Sequence, residues 1–133
     1  MSAALPTLAV LGGTGAEGAG LAFRWLKAGY PVIIGSRDAA RAEATADELG
    51  EGARGAANID AARAADIAIL TVPFAAQKPT LADVKDALTG KILVDVTVPL
   101  VPPRVARVQL PPEGSAAQVA QAVVGDDVRV VSA

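Results

Sequence analysis

Gly13, Gly15 and Gly18 stand in G-x-G-x-x-G spacing inside TLAVLGGTGAEG, residues 7–18. After a strand and at the opening of a helix, this spacing makes a seat for a pyrophosphate. Gly13 permits the tight turn, Gly15 lets the backbone approach the phosphates, and Gly18 lets helix and strand pack closely. The helix N-terminus then turns free N–H groups and a partial positive charge toward the anion. In a chain rich in Ala and Gly the spacing alone marks only a turn. The flanks add the specificity: an apolar run, Leu8 to Leu11, precedes the glycines and a helical pattern follows them.

A second cluster bears on which dinucleotide fits. An NAD site places Asp or Glu about 20 residues beyond the glycines, where it binds the ribose hydroxyls. Here the second apolar run, PVIIG at 31–35, leads into Ser36 and Arg37, and Asp38 is better used as a helix cap. A hydroxyl beside a guanidinium suits a dianionic 2′-phosphate through charge-assisted hydrogen bonds. Arg41, one helical turn on, adds to the same field. An ordinary solvated Arg37 is the plain alternative, but its position relative to the glycines favours NADP. Glu17 reads as a carboxylate placed in a first helical turn by the helix dipole, not as a catalytic acid.

The elements that position these residues follow from hydrophobic periodicity. Residues 16–28 read as a helix with Glu17, Gly20, Arg24 and Lys27 on its solvent stripe. Leu21, Ala22, Phe23, Trp25 and Leu26 cover the rest. Asp38 caps a helix through Leu49 that buries Ala42, Ala46 and Leu49. Residues 53–57 suit a short edge strand, and Asn58 is a candidate cap for one or two turns through Ala65. Ile67 to Val72 is a buried strand closed by Pro73. Pro79 suits the first turn of a helix carrying Leu81, Val84 and Leu88. Ile92 to Val96 is another strand. Residues 99–114 hold five prolines and no periodicity, which predicts a long ordered loop. Ser115 caps a helix with Val119 and Val123, and Asp127 to Val131 is a last strand.

Strands alternate with helices from end to end. The expected class is α/β: a doubly wound parallel sheet, the Rossmann fold, as a single domain over residues 1–133. The chain has 133 residues, 52% apolar, with mean hydropathy +0.40. That surplus predicts an apolar face covered by another subunit or domain, and a homo-oligomer is expected. A net charge of −2 argues against nucleic acid as a partner. Without Cys or His there is no thiolate, no usual general base and no usual metal ligand. No signal peptide or membrane-spanning run stands out, so the default is a cytoplasmic protein without a membrane partner.

The segments GGTGAEGAGLAFRWLKAGYPVIIGSRD, DIAILTVPF, KILVDVTVPLVPP, GSAAQVAQAV and VRVVSA resemble, in order, the N-terminal domain of NADPH-dependent reductases of coenzyme F420, a deazaflavin. A weaker resemblance is to the cytosolic domain of metalloreductases that pass electrons from NADPH through a flavin. The closer resemblance implies an oxidoreductase with NADP as cofactor and F420 as co-substrate. Hydride would pass between them in a cleft at the carboxyl ends of the strands. Its chemistry is mostly positioning, and it needs no His or Cys. By the same resemblance, Thr14, Gly15, Ala16 and Glu17 line the pyrophosphate. Ser36, Arg37 and Arg41 hold the 2′-phosphate. Val72, Pro73 and Phe74 lie near ribose and nicotinamide, and Thr97, Val98 and Pro99 border the redox cleft. No catalytic side chain is implied, and Asp95 reads as structural or orienting.

Proteins of that family continue past the position matching Ala133 into a helical segment that completes the deazaflavin pocket and much of the dimer contact. The expectation is therefore an NADP(H)-binding domain, either truncated and inactive alone or a natural stand-alone module. Two other readings compete with it: a non-catalytic NADP(H)-sensing module, since GGTGAEG also resembles the loop of redox-sensing regulators, and a degenerate Rossmann domain used for assembly.

Overall fold

The protein's structure, a computed structural model, describes residues 5–97, 100–101, 104–108 and 115–132. Four apolar residues in a row make β1 (Leu8–Leu11), buried along its whole length. A continuous apolar run is what a parallel strand covered on both faces requires. The other strands are β2 (Val32–Ser36), β3 (Arg54–Ala57), β4 (Ile67–Leu70), β5 (Ile92–Asp95), β6 (Leu100–Val101), β7 (Arg104–Val108) and β8 (Arg129–Ser132). Six of them form one parallel sheet in the order β3-β2-β1-β4-β5-β8. The order reverses between β1 and β4, which opens a crevice at the carboxyl ends of those strands.

The helices are α1 (Ala16–Lys27), α2 (Ala39–Leu49), α3 (Asn58–Ala64), α4 (Gln77–Val84) and α5 (Ala116–Val124). Alternate strand residues feed two cores. Val10, Ile34 and Ile69 pack with Ala22 and Leu26 of α1 and Ala42 and Ala46 of α2. Ala9, Leu11, Leu70 and Leu93 pack with Ala61, Leu81 and Ala120 from α3, α4 and α5. Alanine on the helices lets them sit low on the sheet, so the core is aliphatic, as the scarcity of aromatics implies. Asp38 caps α2 by accepting the Ala40 N–H at 3.0 Å. Ser115 opens α5 in a capping box with Gln118.

Several expectations are corrected. Phe23 does not help cover the core: it is 44% exposed, with Lys27 Nζ 5.4 Å from its ring centroid. At helical spacing Gly18, Ala22 and Leu26 already face the sheet, which turns Phe23 outward. Asn58 does not cap α3. It is the first helical residue, buried, and Ala57 precedes it as the cap without a side-chain bond. The proline-rich stretch is not wholly loop: β6 and β7 pair antiparallel within it. Neither strand contains proline, so every residue in the pair keeps its N–H donor. Thr71 and Val72 fall just beyond the end of β4.

Candidate nucleotide-binding cleft

The glycine turn is built by three different constraints. Gly12 takes φ +72°, the left-handed conformation, so the turn residue is Gly12 and not Gly13. At Gly13 a Cβ would lie 2.8 Å from the Val10 carbonyl oxygen, so that position is small because of close approach. At Gly18 a Cβ would lie 2.6 Å from Thr71 Oγ1 and 2.8 Å from Gly13 Cα. That is the expected close packing of α1 on the sheet. Gly15 differs from both: nothing stands within 4 Å of its Cβ position. The backbone there is bare toward open space, as an approaching phosphate needs. Gly15 is the residue before α1, and no side chain caps that helix.

Around this turn lies a cleft of about 320 Å³. Gly12, Thr14 and Gly15 form one wall, and Ser36, Arg37 and Arg41 form the other. Neither guanidinium is in an ion pair with a carboxylate among the described residues. Ser36 ends β2; its Oγ accepts the Asp38 N–H at 3.2 Å, which leaves the hydroxyl proton to donate. A second recess of about 380 Å³ continues the first across the strand ends. Gly15, Ala16 and Glu17 face Val72, Pro73, Phe74 and Thr97 there. The two recesses share Gly15, Thr71, Val72 and Pro73, so they form one groove over the switch point.

The groove thus brings together Thr14, Gly15, Ala16, Glu17, Ser36, Arg37, Arg41, Val72, Pro73 and Phe74. Gly13 and Gly18 support it from beneath. Val98 and Pro99 lie outside the described residues. Glu17 is exposed in the first turn of α1, where a carboxylate meets the positive end of the helix.

Sequence reasoning missed Asn58, Thr71 and the wall position of Asp38. Asn58 Oδ1 accepts the Gly12 N–H at 3.3 Å, and Thr71 Oγ1 donates to the Leu11 carbonyl at 2.9 Å. Both bonds fix the loop from other strands' ends. The only advance signal was position: each follows a run that ends a parallel strand. Asp95 is 2% exposed and orienting, as expected: its carboxylate accepts the Thr97 N–H at 2.8 Å and a Gln77 side-chain N–H at 2.7 Å.

The arrangement fits a dinucleotide: a bare backbone for the pyrophosphate, a helix terminus with no side-chain cap, and cationic groups at one end. Among the described residues no cluster of three or more His, Cys, Asp or Glu could hold a metal ion. No described helix is long and apolar enough to cross a membrane.

Comparison with known proteins shows the family. The sequence profile of a family described as NADP oxidoreductase, coenzyme F420-dependent, matches residues 7–99. The F420-dependent NADP reductase of Methanothermobacter marburgensis is 52% identical over 100 residues, covering 70% of this chain and 45% of that protein. The reductase of the same description from Methanocaldococcus jannaschii is 38% identical, covering 95% of this chain and 61% of that protein. A crystal structure from Arthrobacter sp. FB24, assigned as an F420-dependent NADP reductase, superposes with a TM-score of 0.81 at 27% identity. It covers 96% of this chain and 61% of that one. The chain spans about half the length of the curated relatives that it matches.

Proposed function

The chain belongs to the coenzyme F420-dependent NADP oxidoreductase family, and on that premise we propose that it is the NADP(H)-binding unit of a hydride-transferring reductase. The second redox partner is the deazaflavin F420. The observation that carries the NADP assignment is the pairing of Arg37 and Arg41, free of ion pairs among the described residues, with the Ser36 hydroxyl across the cleft from Gly15. Three donor-bearing residues line the same cleft, and no carboxylate ends β2.

In this reading the backbone at Gly15 and the N-terminus of α1 hold the pyrophosphate, while Arg37 and Arg41 neutralise the extra dianion. Val72, Pro73 and Phe74 form an apolar wall that orients the reactive end and excludes water. NADP supplies the hydride-accepting ring when bound; the protein supplies orientation. Val98 and Pro99 complete the redox side by the family resemblance.

Titration calorimetry with NADPH and NADH tests the proposal. NADPH binding at least tenfold tighter than NADH supports it; equal affinities, or no binding of either, overturn it. Absorbance of reduced F420 mixed with NADP tests turnover. Growth of the oxidised deazaflavin absorption, as its hydride passes to NADP, supports catalysis by this chain, and tight binding without that growth supports a binding unit only.

Self-association belongs to the same proposal. On the side of α1 and α2, Val131 of the edge strand is 49% exposed beside half-buried Val94, its partner in β5. A dimeric or larger mass in light scattering supports this, and a monomeric mass overturns it.

A further inference from the structure

Gln77, the first residue of α4, is fully buried at the carboxyl edge of the sheet. Its side-chain Nε2 reaches Asp95 Oδ2 at 2.7 Å, the Ala116 carbonyl at 2.8 Å and Thr97 Oγ1 at 3.2 Å. The first two are obligate acceptors, which orients the amide: turned over, its carbonyl would face a carboxylate and another carbonyl. Among the described residues its own Oε1, buried, has no hydrogen-bond partner. A buried carbonyl left unpaired is a cost that simple packing would avoid, so the position is held for its N–H groups.

Those groups grip Thr97. Its backbone N–H is held by Asp95 Oδ1 at 2.8 Å, and its hydroxyl oxygen, the third acceptor beside an amide with two hydrogens, shares one of them at 3.2 Å. An amide NH2 group accepts no hydrogen bond, so the hydroxyl proton beside it points away from Gln77. No acceptor for that proton exists among the described residues. Thr97 lines the recess that also holds Val72, Pro73 and Phe74. A dinucleotide spans the switch point, so with its 2′-phosphate at Ser36 and Arg37 its other end lies toward β4 and β5.

We infer that Gln77 sets the Thr97 hydroxyl as a hydrogen-bond donor to the carboxamide of the nicotinamide. Gln77 is a positioning residue and Thr97 a ligand contact. The inference rests on the NADP(H) reading above and adds how the reactive ring is oriented.

Two probes separate the ends of the site: NADPH, which has the nicotinamide, and 2′,5′-ADP, which keeps the 2′-phosphate without it. Calorimetry on the whole chain would compare wild type with Thr97→Val, Thr97→Ser and Gln77→Met. Thr97→Val is expected to weaken NADPH about fivefold, the worth of one neutral hydrogen bond, while 2′,5′-ADP stays within about twofold. Thr97→Ser keeps the hydroxyl and restores NADPH affinity. Gln77→Met loses NADPH affinity in the same direction, again without loss of 2′,5′-ADP. Unchanged NADPH affinity in Thr97→Val, or a Thr97→Ser variant as weak as Thr97→Val, overturns the inference; both hold even if Gln77→Met fails to fold. If wild type binds neither probe, the NADP(H) reading itself falls, and this inference with it.

Discussion

Asn58 Oδ1 lies 3.3 Å from the Gly12 amide nitrogen, joining the start of α3 to the glycine turn across 46 positions of sequence. The same oxygen would lie 2.7 Å from a Cβ at position 35, so Gly35 is what gives it room. One side chain therefore holds the first N–H of the loop and depends on a glycine in the neighbouring strand. Asn58→Leu is expected to leave that N–H unpaired and to cost about 1–3 kcal/mol. Urea denaturation would measure it. Stability equal to wild type would mean that the loop is held by its other bonds alone.

Arg37→Ala should weaken NADPH binding by about 10- to 100-fold, the range for a charge-assisted hydrogen bond of about 1.5–3 kcal/mol. NADH affinity should change little. Raising the salt concentration should erode the wild-type preference for NADPH, because the guanidinium acts partly at long range. Parallel losses for both carriers would place the 2′-phosphate elsewhere.

Gly18→Val should be among the most damaging substitutions in α1. Even a Cβ would meet Thr71 Oγ1 and the Gly13 backbone, so α1 would have to lift from the sheet. An overpacked core contact costs about 1–3 kcal/mol. Gly15→Ala makes the opposite case: the space beside it is open, so the fold should tolerate the methyl while phosphate binding suffers. Thermal melts and NADPH titrations of the two variants together would show the split. A Gly15→Ala protein that binds normally would contradict the seat assigned to that backbone.

Lys91 gives a pH dependence away from the cleft. Its ammonium donates to the carbonyls of Ala62 at 2.7 Å and Arg63 at 2.8 Å, closing the end of α3. Burial lowers its pKa below 10.5, nearby Asp66 offsets part of this, and Arg63 adds to it. As pH rises from the lowered value toward 10.5, the folded chain releases this proton before the unfolded chain does. The unfolded state then binds more protons, so this group's contribution to stability rises with pH in that window. Lys91→Met should remove the rise. Denaturation curves across the alkaline range would check this, and matching slopes for the two proteins would refute it.

The local pattern of residues was enough for the parallel α/β class, because continuous apolar runs, caps and glycine stops recur in strict alternation. The position of Ser36, Arg37 and Arg41 on the cleft was legible for the same reason: their distance from the glycines places them at the next strand's end. The β6–β7 pair was hidden by the prolines around it, since hairpin pairing depends on which N–H groups remain between them. Phe23 was misplaced because composition cannot say which of several apolar residues on a helix meets the sheet.

What the linear order of residues settled by itself was the sheet, its switch point and the sign of charge beside it, because these follow from spacing along one chain. What only the folded molecule decided was the set of contacts between distant segments: Asn58 on Gly12, Thr71 on Leu11, and Gln77 among Asp95, Thr97 and Ala116. A side-chain amide carries no periodic signal. Its partners are chosen by which strand ends come together, and that depends on how the whole sheet is wound.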